Sequence, residues 1–187
     1  MVHRRRRIRR FGRRRLTGRQ AAAALVCGVL LAVAVHHAGG TTAGQARAGA
    51  VATPAAATAI AFARAQLGKP YEWGGAGPGA FDCSGLVMMA YRAAGIGIAR
   101  TSQAQWATEQ QVPASQVQPG DLVFFAGADG TTTSPGHVGL VIGNGQMIEA
   151  YATGFPIRIS AYGAASSPPG DQDPVGFTDP AANAGTS

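Results

Sequence analysis

Charged side chains are scarce in these 187 residues, at 13%, against 46% hydrophobic residues. That balance excludes a charged, solvated, disordered chain. The length excludes a large multidomain architecture and suits one ordinary domain with short extensions. Cysteine is rarer still, with only Cys27 and Cys83, and histidine occurs four times. There is no internal repeat and no coiled-coil heptad. No apolar run reaches the roughly 20 residues that a spanning helix needs. The glycine-rich stretch 74–80 (GGAGPGA) lacks phosphate-loop spacing, contains Pro78 and follows no apolar strand, so it reads as a turn.

What is abundant is arginine, and it is localised. Ten of the 16 basic residues are arginines between Arg4 and Arg19. From residue 20 onward six basic side chains face nine acidic ones, a net charge of −3. The overall charge of +7 therefore belongs to the N-terminus, and the body carries no basic face for nucleic acid. Behind the arginines lies Ala21–Val35, uncharged and apolar, then small residues. That is the layout of a secretory signal, expected over residues 1–48 with Ala46-Arg47-Ala48 as a cleavage site. An uncleaved membrane anchor is the alternative, and any membrane contact is expected only through this segment. The expected location is extracytoplasmic, in the cell envelope or secreted. Cleavage would leave one cysteine, Cys83, and one histidine, His137. Those two permit no internal disulfide and no Cys/His zinc site, which needs three or four ligands. No metal and no cofactor are expected.

Residues 49–57 read as a small-residue linker, 58–178 as the domain and 179–187 as a tail. Thr58 is expected to cap a helix over Ala59–Leu67, with Ile60, Ala63 and Leu67 on one face. Asp82 is expected to cap a helix Cys83–Ala94 that stops at Gly95. Ser102 and Gln105 form a capping-box pattern for a short helix reaching about Gln110. After the Pro119-Gly120-Asp121 turn the period changes. Leu122–Phe125, Val138–Ile142 and Gln146–Ala150 read as strands, with Gly127–Gly136 as a loop between the first two. Ile157–Ile159 and Val175–Phe177 are weaker strand candidates. Helices first and strands later predict an α+β fold.

Cys83 sits among Asp82, Ser84 and Gly85 in a first helical turn, where free amide N–H groups and the helix dipole favour a thiolate. Gly85 appears as room for a substrate. His137 opens an apolar strand, which puts its ring at the end of a sheet. A thiolate and a base at two element ends suggest nucleophilic catalysis. The base then needs an orienting partner, for which Glu149 is the candidate. A two-residue Asn144-Gly145 turn would pair Leu140 with Glu149 and put His137 on the opposite face. A three-residue Gly143-Asn144-Gly145 loop would pair Gly139 with Glu149 and make His137 its diagonal neighbour. The three-residue loop is expected.

Asp82-Cys83-Ser84-Gly85-Leu86-Val87, Arg100-Thr101-Ser102, Pro119-Gly120-Asp121-Leu122-Val123-Phe124-Phe125 and Gly136-His137-Val138-Gly139-Leu140-Val141-Ile142-Gly143 resemble NlpC/P60 cysteine peptidases, in the same order. Tyr71-Glu72-Trp73-Gly74-Gly75 fits as well, and the resemblance runs from about residue 58 to 160. It implies a papain-like fold with N-terminal helices on a small antiparallel sheet. It also implies a bacterial envelope enzyme that cuts peptidoglycan stem peptides between D-γ-glutamyl and diaminopimelate. Cys83 would be the nucleophile, His137 the general base and Glu149 its orienting residue. Tyr71 would line the oxyanion site with the Cys83 N–H, and Asp82, Ser84 and Arg100 would lie near the substrate groove. For Arg100 a structural salt bridge is the competing reading. Trp73 and Trp106 are expected to be packing residues. The alternatives are a non-catalytic peptidoglycan-binding module on the same fold, or an acyl transferase or amidase using the same pair. A monomer is expected.

Overall fold

The computed structural model of this chain describes residues 52–163 and 173–182. The expected signal over 1–48, the Pro168-Pro169-Gly170-Asp171 stretch, which reads as loop from its residues, and the end of the expected tail lie outside them.

The first helix, α1 (Pro54–Arg64), starts five residues before the expected position. Thr53 is the N-cap, its hydroxyl accepting from the Ala56 N–H at 3.2 Å. Pro54 then fills the first helical position, where a missing N–H costs nothing. The expected linker therefore gives its last residues to the helix. The Thr58 hydroxyl, expected as the cap, donates back to the Pro54 carbonyl. Ala56, Ala59 and Ala63 form the buried face, and Leu67 lies beyond the helix and is exposed.

Helix α2 (Cys83–Ala93) follows the sequence pattern closely. Asp82 caps it, and Gly95 ends it at φ +80°. Leu86, Val87, Ala90 and Tyr91 are fully buried. Helix α3 (Ser102–Thr108) is capped by Thr101, whose hydroxyl accepts from Ala104, rather than by Ser102. Gln105 does not close a capping box. It is fully buried and donates to the carbonyls of Ser84 and Ala99, tying α3 to the start of α2.

The strands are β1 (Gln110–Val112), β2 (Leu122–Phe125), β3 (His137–Gly143), β4 (Gln146–Glu149), β5 (Arg158–Ala161) and β6 (Gly176–Asp179). They form one antiparallel sheet in the order β1-β6-β2-β3-β4-β5. β1 occupies residues adjoining the expected end of α3, and a 3₁₀ turn, Ala114–Gln116, follows it. Asp179, assigned to the expected tail, belongs to β6, as does Thr178, which is buried. Alternation splits the strand side chains between two cores. Leu122, Phe124, Val138, Leu140 and Ile148 pack with α1 and α2. Val123, Phe125, Val141, Met147 and Phe177 form a smaller cluster on the other face. Together, helices on one face of an antiparallel sheet give the expected α+β papain-like fold.

The β3–β4 hairpin settles the register question in an unexpected way. Its turn is the two-residue one: Gly143 pairs with Gln146, and Asn144 and Gly145 both have positive φ, at +54° and +68°. Such angles define the turn that best matches strand twist. A register shift between Val141 and Gly143 then leaves Ile142 as an extra residue. Beyond this bulge Val141 pairs with Met147 and Leu140 with Ile148. One step further, Gly139 stands opposite Glu149, as in the three-residue loop. The loop expectation was incorrect, but the bulge restores the register it was meant to deliver.

Candidate active site

Four element ends converge. Cys83 begins α2, His137 begins β3, Glu149 ends β4 and Arg158 begins β5. The Asp82 carboxylate fixes the start of α2. Its Oδ1 accepts from the Gly85 N–H at 2.6 Å and its Oδ2 from the Gly74 N–H at 2.9 Å. Arg100 grips the same carboxylate through both Nη atoms, at 3.0 and 2.6 Å, and also donates to the Ser84 hydroxyl. Gly85 is required for a reason other than substrate access: a Cβ there would collide with the Gly75 carbonyl oxygen. The 74–80 loop is thus packed directly onto the first turn of α2 and is no loose turn.

His137 is buried, and its Nε2 lies 2.8 Å from Glu149 Oε2. The other ring nitrogen is the one available to Cys83, whose Sγ also lies 3.9 Å from the Gly136 carbonyl oxygen. Burial pushes the imidazole pKa down, but the hydrogen bonds and negative charges of Cys83 and Glu149 outweigh it and raise the value to about 10. Glu149 is fully buried. Burial opposes its charge, yet hydrogen bonds from His137, Ser160 and Arg158 hold its pKa below the ordinary carboxylate value. Its Oε1 accepts from Arg158 Nε at 2.9 Å and from the Ser160 hydroxyl at 2.7 Å. Arg158 Nη2 lies 2.9 Å from the same oxygen as an ion-pair contact rather than a directed hydrogen bond.

A cleft of about 620 Å³ opens over these groups, lined by Tyr71, Cys83, His137 and Tyr151 together with Trp73 and Asp129 at its edges. Tyr71 has its pKa raised to about 12, first by burial and then by the negative charges of Cys83, Asp82 and Asp129. Its hydroxyl is therefore a donor at any physiological pH. Trp73 is 76% exposed, so it is a wall of the cleft and no packing residue. Trp106 does pack, against Phe124 at 5.3 Å between ring centroids.

The structure thus brings Cys83, His137, Glu149 and Tyr71 together. Asp82, Ser84 and Arg100 do not line the cleft; they form the network under the start of α2. Sequence reasoning missed Tyr151, Arg158, Ser160 and Asp129. A signal existed for two of them: Arg158 and Ser160 alternate along a strand and so share a face. The irregular stretch between β4 and β5 hid which face that was. Among the described residues no cluster of His, Cys, Asp and Glu could hold a metal ion.

Residues 68–167, just over half of the chain, match the family model described as "NlpC/P60 family". The protein named "Probable endopeptidase p60" of Listeria monocytogenes is 50% identical over 95 residues, which are 51% of this chain and 19% of that one. A probable endopeptidase of Mycobacterium tuberculosis is 46% identical over 101 residues, 54% of this chain and 24% of its own. The chain spans about a fifth to a quarter of the length of such curated relatives. Among solved structures, an NlpC/P60 family protein from Bacillus cereus superposes with a TM-score of 0.60 at 33% identity, covering 67% of this chain and 40% of that one. The peptidoglycan hydrolase RipB of Mycobacterium tuberculosis gives 0.53 at 33% identity, covering 66% and 63%. Motifs, fold and family model agree, and the chain belongs to the NlpC/P60 family.

Proposed function

We propose that this protein is an exported cysteine endopeptidase that hydrolyses peptidoglycan stem peptides, at the bond between D-γ-glutamate and diaminopimelate. The observation that carries the reading is the buried Glu149–His137 pair beside Cys83 on the wall of an open cleft. The naming of a structural neighbour as a peptidoglycan hydrolase supports the substrate class. The Arg-rich start and the apolar run after it support export, and no described helix is long and apolar enough to cross a membrane.

With its raised pKa, His137 is an imidazolium at neutral pH, and in this mechanism Cys83 reacts as a thiolate beside it. The sulfur attacks the amide carbonyl, and the C–O π electrons move to oxygen. The Cys83 N–H and the Tyr71 hydroxyl donate to that oxyanion. His137 gives its proton to the amide nitrogen, the C–N bond breaks and the amine leaves. A water then gives a proton to the neutral imidazole and its oxygen attacks the thioester. The collapse releases the carboxylic acid and restores the thiolate–imidazolium pair. Glu149 stays ionised throughout and holds the ring by its Nε2–H.

Purified peptidoglycan incubated with the full chain tests this by mass spectrometry of the soluble fragments. Fragments ending at D-glutamate are expected. Cys83→Ser should reduce their rate by several orders of magnitude. Equal release by the variant would overturn the mechanism, and products cut elsewhere would overturn the bond assignment. Wall binding without release by either protein would favour the binding module.

A further inference from the structure

The candidate active site continues one layer below Glu149, into a cluster on β5 and on the segment that leads to it. The Arg158 guanidinium lies over the Tyr151 ring at 4.4 Å and over the Phe155 ring at 5.1 Å. Those two rings meet edge to face at 5.4 Å. Tyr151 in turn meets the His137 ring edge to face at 5.8 Å. A guanidinium held against two aromatic rings loses rotational freedom and points its donors one way. Here Nε points at Glu149 Oε1, and β4–β5 pairing puts Arg158 directly opposite Glu149. Ser160, on the same face, takes a further position on that oxygen. The carboxylate therefore has one oxygen occupied by β5 and the other free for His137. Without those donors it could turn about its own axis, and its buried charge would keep only the imidazole.

We propose that Arg158, held against Tyr151 and Phe155, is a positioning residue that fixes Glu149 and through it the ring of His137. The proposal rests on the peptidase reading only for its effect on turnover. The geometry it claims can be measured without substrate, at the Cys83 sulfur.

The experiment is alkylation of the full chain by iodoacetamide at pH 6, read at the Cys83 peptide by mass spectrometry so that Cys27 does not contribute. Iodoacetamide reacts with the thiolate form of cysteine, so the rate reports how His137 is held against the sulfur. Arg158→Gln is expected to slow alkylation about tenfold, the scale of one charge-assisted hydrogen bond. Arg158→Lys keeps the charge and stem but not the flat stacked donor, and is expected to fall between the two while keeping the native thermal midpoint. In a Glu149→Gln background the Arg158→Gln change should cost less than about twofold, since its route to the ring is already lost. Native rates in Arg158→Gln would overturn the proposal, as would an undiminished loss in the Glu149→Gln background. These results stand whether or not peptidoglycan is cut, so failure of the peptidase reading would be seen separately.

Discussion

His137 is pulled in two directions. Burial favours the neutral ring, whereas Cys83 and Glu149 favour the charged one and win, so that its pKa is raised from 6.5 to about 10. The sign follows from the chemistry. In the proposed mechanism the ring must carry a proton to protonate the leaving amine, so the active form persists up to the raised value and is lost above it. The alkaline limb of kcat/KM for stem-peptide release is therefore expected near pH 10. A limb near 6.5 would mean that the ring is neutral at physiological pH and that the ion pair does not exist. Which residues hold this proton was legible in part. Cys83 and His137 stood out because the chain offers so few of either type behind the arginines, and each falls at an element end. Arg158 had no such mark: nothing in Arg-Ile-Ser announces that a guanidinium will lie against two aromatic rings seven and three residues earlier.

Among the elements, the start of α2 is the one that carries Cys83, and it is held by backbone contact as much as by side chains. Gly85 allows the Gly75 carbonyl to lie against the helix, while Asp82 caps that turn and Arg100 neutralises Asp82. Gly85→Ala would force a methyl group into the Gly75 carbonyl and towards the Asp82 carboxylate, neither of which can yield without moving the helix end. Overpacking of this kind costs about 1–3 kcal/mol, so chemical denaturation should show a loss of that size. Alkylation of Cys83 at pH 6 should slow with it. An alanine variant as stable as the native chain would show that the 74–80 loop can retreat freely. The same scale shows where the sequence was opaque. The need for His137 and Glu149 to share a face was readable from alternation, yet the device that achieves it, an extra residue at Ile142, leaves no compositional trace. A bulge is a local choice between two nearly equal pairings, made by packing on both faces of the sheet rather than by the residues in the turn.

For the whole molecule, the question is how a helix and a sheet stay docked closely enough to keep sulfur and imidazole in register. The helices, strands β2 to β4 and the site's chain order were legible, because hydrophobic periodicity and the turn residues mark them. The pairing of β6 between β1 and β2 was not, since it joins segments far apart in sequence whose strand signals are short. The docking itself depends on long-range contacts remote from the cleft. Tyr91 is fully buried near the far end of α2, and its hydroxyl donates to the Gly120 carbonyl in the turn that leads into β2. Burial raises its pKa, so it remains a donor throughout the physiological range. Tyr91→Phe keeps the ring and leaves that carbonyl without the hydroxyl, a change worth about 1–3 kcal/mol for a buried acceptor. Cys83 lies at the opposite end of the same helix, where Asp82, Arg100 and Gly75 fix it independently. The expected outcome is a lower unfolding free energy by that amount, with kcat/KM for stem-peptide release within about twofold of native because sites without shared partners act additively. A fall in kcat/KM as large as the fall in stability would mean that α2 moves as a rigid rod, and that the register of sulfur and imidazole is set by its docking along the whole sheet.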